Sequence, residues 1–145
     1  MKKLILILFT IIIIIVTIIC VKYSSYKIEY NSVLKENAEF EQYKENEIYG
    51  TELGTLINRT IDKNNKNNIE KDANGIFIPN EENSIKIEIY MQDNEQTYEM
   101  ETIYNAGMQQ FIQYYGDIKF KCSKIEYHKS TKKIKYLLFE QVVTS

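Results

Sequence analysis

Apolar positions along this chain fall into three rhythms, and each predicts a different kind of element. The first is continuous. Residues 4–21 carry no charge, and Thr10 and Thr17 are the polar members of the run. As a helix rising about 1.5 Å per residue the run spans ~27 Å, close to the ~30 Å hydrocarbon core of a bilayer. A helix pairs its backbone groups internally, which lipid demands. Residues 1–21, with Leu4, Phe9, Ile11, Ile15 and Val21 spaced along them, are therefore predicted to form a membrane anchor whose first partner is the lipid bilayer.

The second rhythm has helical period. Tyr26, Tyr30, Val33, Asn37, Phe40 and Tyr43 recur at spacings of four and three, which predicts an amphipathic stalk helix over 22–48 that docks on a sheet, with a bend at Ser24-Ser25. Leu53, Leu56, Ile57, Thr60 and Ile61 form a second stripe after a candidate cap at Thr51. Gly54 within that stripe permits a close approach by a neighbouring element. The polar run 62–68 is expected to end this helix as a loop. Met108, Phe111, Ile112 and Tyr115 mark a short helix over 104–115, stopped by Gly116.

The third rhythm is alternation. Ile85, Ile87, Ile89 and Met91 alternate with Lys86, Glu88 and Tyr90, the signature of a half-buried strand. A turn at 93–95 leads to a strand over 97–103. Asn74-Gly75 predicts a short hairpin with arms 70–72 and 76–78. Ile118, Phe120 and Cys122 change parity to Ile125 and Tyr127, which one extra residue at Ser123-Lys124 explains as a β-bulge. Leu137, Leu138 and Phe139 are consecutive, so the strand within 132–142 is covered on both faces and central. The prediction is an α+β fold: the long helix and short helices packed on an antiparallel sheet of about four strands, with an α+β domain at 49–145.

The anchor is expected to be retained. A secretory signal has a core of roughly 7–15 apolar residues and a small-x-small cleavage site; here the core is longer, and residues 20–25 offer no such site. Lys2, Lys3 and the amino terminus face Lys22 and Lys27 across the run. The positive-inside tendency then places the amino terminus in the cytoplasm and the carboxy-terminal domain outside a single-pass cell membrane.

Composition adds one domain's worth of chain and a hidden charge pattern. About 124 residues follow the anchor, enough for one core. The weight of Ile, Lys and Asn is the bias of an AT-rich bacterial genome. Net charge is −2, yet residues 28–101 hold 17 acids against 7 bases, and residues 117–140 hold 3 acids against 7 lysines. The two regions face each other inside one domain, are merely solvated, or join subunits head to tail. Lys119, Lys121, Lys132 and Lys133 are the candidate interaction face for a protein partner or for self-association. A nucleic-acid partner is not expected, because these lysines lie on strands without arginine and outside the cytoplasm.

Candidate chemistry is sparse. The single histidine, His128, shares a strand face with Glu126, and Cys122 lies across the bulge. A nucleophile–base pair needs an orienting third group, and none is evident; His128 is read as an exposed strand-end residue. Cys20 and Cys122 are read as small apolar residues, not as a disulfide. Structural zinc takes four Cys or His ligands, and calcium a regular series of acids; neither pattern occurs, so no cofactor, metal or catalytic residue is expected. Tyr49, Tyr90, Tyr98, Tyr104, Tyr114, Tyr115 and Tyr127 supply either an aromatic binding face or sheet and core packing.

The order of basic start, apolar helix, amphipathic continuation and sheet resembles type IV pilins and pseudopilins. The resemblance implies a filament or secretion-assembly subunit. Residues Leu8-Phe9-Thr10-Ile11 lack the preceding Gly and following Glu of the prepilin motif. The stretches EIYGTELGTLINRTIDKN and IKFKCSKIEYHKSTKKIKYLLFEQV are similar to parts of small single-span clostridial proteins of unknown function. The functional expectation is a non-enzymatic, membrane-anchored extracytoplasmic protein-interaction domain, in its most concrete form a pilin-like assembly subunit. The alternative is a ligand-binding or sensory module at the cell surface.

Overall fold

A computed structural model describes residues 2–143 of the chain. Helix α1 (Lys2–Glu41) opens it, followed by strand β1 (Glu47–Tyr49), helix α2 (Gly50–Lys66), strands β2 (Lys86–Met91) and β3 (Gln96–Glu99), helix α3 (Met100–Tyr115), and strands β4 (Lys119–Tyr127) and β5 (Ile134–Gln141). The fold is α+β, as its periodicities predict. The chain divides into two compact units between Glu36 and Asn37.

The first unit is helical throughout its described length, Ser24 and Ser25 included, so the expected bend is not present as a break in the helix. It contains one helix long and apolar enough to cross a membrane. Leu4, Phe9, Ile11, Ile15 and Val21 are all exposed. Thr10 and Thr17 return their hydroxyls to the carbonyls of Ile7 and Ile14, at 2.7 and 2.8 Å, which pairs both hydroxyl donors of the apolar run within the helix. The amphipathic stripe is shorter in effect than its spacing indicates: Tyr26 and Tyr30 are exposed and stack on each other, whereas Asn37, Phe40 and Tyr43 are buried in the second unit.

The second unit is built on a five-stranded sheet in the order β1-β4-β5-β2-β3. Strand β5 is central, as its three consecutive apolar residues require. The sheet has one strand more than expected and is mixed: β2 and β5 run parallel, with Ile87 opposite Leu137 and Ile89 opposite Phe139, while the other pairs are antiparallel. The parity change in β4 is a register shift between Cys122 and Lys124. It keeps Phe120 and Cys122 on the buried face while Ser123 and Lys124 both stay in solvent.

Helices α2 and α3 cover one face of the sheet and pack on each other. Leu53, Leu56, Ile57 and Ile61 meet Ile87, Ile89, Phe120, Leu137 and Phe139 in the core. Gly50 sits where a β-carbon would come within 1.9 Å of the Tyr115 carbonyl oxygen, and a β-carbon on Gly54 would lie 3.0 Å from the Met108 sulfur. The absent side chains let the helices approach. Helix α2 continues through the Asn-rich stretch to Lys66 because Asn64 is buried there: its Nδ2 donates to the Ile85 carbonyl at 2.7 Å, and the Ile85 N–H donates to its Oδ1 at 2.9 Å. Asn37 repeats the device on the β4–β5 turn, donating to the Lys132 carbonyl at 2.8 Å and accepting from the Ile134 N–H at 3.0 Å.

The hairpin expected around Asn74-Gly75 is reduced to a single bridge between Lys71 and Phe77. Asp72 closes its turn by accepting the N–H groups of Asn74 and Ile76, both at 2.9 Å. The strand expected over 97–103 ends at Glu99, and residues from Met100 onward are helical.

Candidate functional site

Lys119 and Lys121 lie on the solvent face at the start of β4, and Lys119 forms a 3.0 Å salt bridge with Glu47 on neighbouring β1. Lys132 and Lys133 lie in the turn after β4, beyond its other end. A nine-residue strand at ~3.3 Å per residue separates the two pairs, so the fold does not gather these four residues into one face. Part of the basic region instead meets the acidic one inside the unit, through Lys119 with Glu47 and through the Tyr127 hydroxyl donating to Glu41 at 2.9 Å.

His128 is not an exposed strand-end residue. It is 1% exposed, and its Nε2 lies 2.8 Å from the Ser84 carbonyl. A carbonyl only accepts, so Nε2 carries the proton and buried Nδ1 is left without a partner. The residue ties the β4–β5 turn to the segment leading into β2. Its partner is 44 residues away in sequence, which is why no local pattern announces it. Cys122 is buried as expected, and burial pushes its thiol up to about 11, away from nucleophilic behaviour. Among the described residues, no group of three His, Cys, Asp or Glu side chains could hold a metal ion.

The face of the sheet away from the helices is polar. Lys86 contacts Glu88 and Glu99 at 2.7 Å each, and the Tyr136 hydroxyl donates to Glu88 at 2.7 Å. Partial burial disfavours charge on Glu88, but hydrogen bonds from Lys86 and Tyr136 outweigh it and hold the carboxyl below its ordinary range.

A groove of about 350 Å³ lies between α3 and the β2–β3 hairpin. Met91, Ile103 and Phe111 form its floor, and Tyr98, Tyr114 and Tyr115 its walls. Gly107 breaks α3 over the groove with φ 111° and ψ 111°, in a region where a side chain is strained. Tyr98 is held at the rim by its hydroxyl, which donates to Gln96 at 3.0 Å and accepts from Asn94 at 2.7 Å. Beside it, among the described strands, β3 pairs with β2 alone, so no described strand covers the outer backbone edge of residues 96–99. Of the seven tyrosines considered for an aromatic face, the fold gathers Tyr98, Tyr114 and Tyr115 here. Tyr90 lies on the opposite face of the sheet, Tyr49 is on β1 at its other edge, Tyr104 is exposed on α3 outside the groove lining, and Tyr127 is bonded to Glu41.

One functional group escapes any sequence pattern. Glu101, in the first turn of α3, is 3% exposed; its Oε1 accepts the Phe77 N–H at 3.3 Å and its Oε2 has no partner. Its neighbours in sequence, Met100 and Thr102, give no sign of this.

No family model, curated protein or solved structure matches the chain.

Proposed function

We propose that the chain is a non-enzymatic, single-pass membrane protein whose α+β unit lies outside the cytoplasm and binds a protein partner through the β3 edge and the groove beneath α3. The observation that carries this reading is the conjunction of an open strand edge with an apolar, tyrosine-walled groove. An extended segment adding to β3 gains main-chain hydrogen bonds, and its alternate side chains enter the groove. Lipid insertion of residues 4–21 holds the protein at the membrane, and Lys2 and Lys3 favour the cytoplasmic side for its amino terminus. A pilin-like assembly subunit is the form of this proposal in which the partner is a second copy, and the order of elements supports it.

Photo-crosslinking in intact cells tests it. A benzoylphenylalanine at Tyr98 or Tyr114 is expected to capture a protein adduct, and one at Lys121 on the far side of the sheet is not. Proline at Thr97, which removes a backbone donor from the edge strand, is expected to reduce the yield. A ladder of multiples of the chain's own mass identifies self-assembly. Equal labelling from all three positions, or none, rejects the docking surface.

The groove volume also favours a second reading, a ligand-binding or sensory module, because small-molecule sites begin near ~300 Å³. Adducts confined to small metabolites, with no protein captured at Tyr98 or Tyr114, decide for it.

A further inference from the structure

A second, smaller pocket of about 100 Å³ opens where the start of α3 meets the first residues of β2 and β5. Phe77, Pro79 and Tyr136 form its apolar walls, and the ionisable residues Lys86, Glu101, Glu126 and Lys135 also line it. Two of these four are already neutralised. Lys86 is bonded to Glu88 and Glu99 at 2.7 Å each, and Glu126 to Lys124 at 2.6 Å. Glu101 and Lys135 remain, one acid and one base, with no salt bridge to each other or to any described residue. Glu101 is 3% exposed, and its Oε2 is buried without a hydrogen-bond partner. A buried carboxyl oxygen in that condition destabilises the fold until a donor reaches it.

We propose that this pocket binds a small α-amino acid zwitterion, of the size of glycine or alanine, with its ammonium on Glu101 Oε2 and its carboxylate on Lys135. Both ends of such a ligand meet a charge that the protein leaves unmatched. A ligand of one sign satisfies one of the two and repels the other. An ammonium supplies three donors to a carboxylate that lacks one, and a lysine ammonium makes a charge-assisted bond to the ligand carboxylate. Phe77 and Pro79 keep water from the contact, which strengthens both pairings. The volume admits roughly five non-hydrogen atoms, well below the ~300 Å³ at which drug-sized sites begin, so larger side chains are excluded. This site is independent of the groove under α3, and either can fail without the other.

Thermal unfolding of the full chain in detergent micelles, titrated with glycine, ethylammonium or acetate at constant ionic strength, tests the proposal. Glycine is expected to raise the midpoint saturably, and each single-charge fragment to need at least tenfold higher concentration for the same shift. Lys135→Met and Glu101→Gln are each expected to weaken the glycine effect at least tenfold. If Glu101→Gln fails to fold, the carbon-13 resonance of the Glu101 carboxyl in the wild-type chain replaces it: glycine moves it toward the ionised position if the proposal holds, and leaves it in place if not. No saturable effect of glycine, equal potency of either fragment, or an unchanged response in Lys135→Met overturns the assignment.

Discussion

Asn64 makes, through one side-chain amide, both hydrogen bonds that a neighbouring strand would make to Ile85. The distances are 2.7 Å from Nδ2 to the carbonyl and 2.9 Å from the Ile85 N–H to Oδ1. Asn64→Ala strands two buried backbone groups at about 1–3 kcal/mol each. The expected loss is ~3 kcal/mol, read from urea unfolding of the solubilised chain by near-ultraviolet tyrosine dichroism. Asn37→Ala removes the equivalent pair at Lys132 and Ile134 and is expected to speed hydrogen exchange at the Ile134 amide.

These two asparagines also mark how far sequence reasoning reaches. Where a residue's surroundings are set by its own element, the pattern is sufficient: Ile85, Ile87, Ile89 and Met91 are buried as their alternation requires, and the Ser123 bulge follows from parity alone. Where the partner is distant, the pattern is silent. The Asn-rich stretch after Ile61 resembles a loop, and it is helical as far as Lys66 because Asn64 finds Ile85, 21 residues on. The strand expected over 97–103 stops at Glu99, and Met100 and Ile103, three residues apart, form the first turn of α3. His128 looks solvent-facing until Ser84 covers it. The candidate groove was visible only as an excess of tyrosine, since the break at Gly107 and the open edge of β3 are products of topology.

Gly50 admits no side chain. A β-carbon there meets the Tyr115 carbonyl oxygen at 1.9 Å, and that oxygen belongs to backbone that cannot rotate away. Gly50→Ala is expected to cost ~3 kcal/mol by forcing α2 from the end of α3, at the upper end for overpacking. The same urea titration measures it. Gly54→Ala is expected to cost less, because the flexible Met108 side chain can yield.

Cys122 is expected to resist alkylation in the folded chain. Burial raises its thiol from 9.0 to about 11, so the thiolate is scarce at pH 8. In a Cys20→Ser background, iodoacetamide labelling followed by mass spectrometry should report unfolding events only. The linkage has a definite sign: the folded thiol keeps its proton where the unfolded one loses it. The stabilising contribution is thus complete below pH 9 and falls away as pH rises toward 11.

Glu101 predicts a second dependence on pH, at the acid end. Burial raises its carboxyl, opposed by hydrogen bonds from its own N–H and that of Phe77. The folded chain therefore holds this proton more tightly than the unfolded chain does. Its contribution to stability is present below the ordinary carboxylate range and is lost as pH rises through the raised value. Glu101→Gln stays neutral and keeps an acceptor for Phe77. In the absence of ligand its midpoint is expected to exceed that of wild type at pH 8, by on the order of 4 °C per kcal/mol, with the gap closing in acid.

The central position of β5 has a consequence for biosynthesis. Strands β1 and β4 form one half of the sheet and β2 and β3 the other, and β5 alone joins them. It is the last of the five to leave the ribosome. Until then Phe40, Ile48, Ile87 and Phe120 lack their final cover, while residues 4–21 have long been available for insertion into lipid. Folding of the α+β unit thus waits for residues 134–141 rather than spreading evenly along synthesis, and a nascent chain halted before residue 134 presents two unjoined half-sheets to chaperones and proteases.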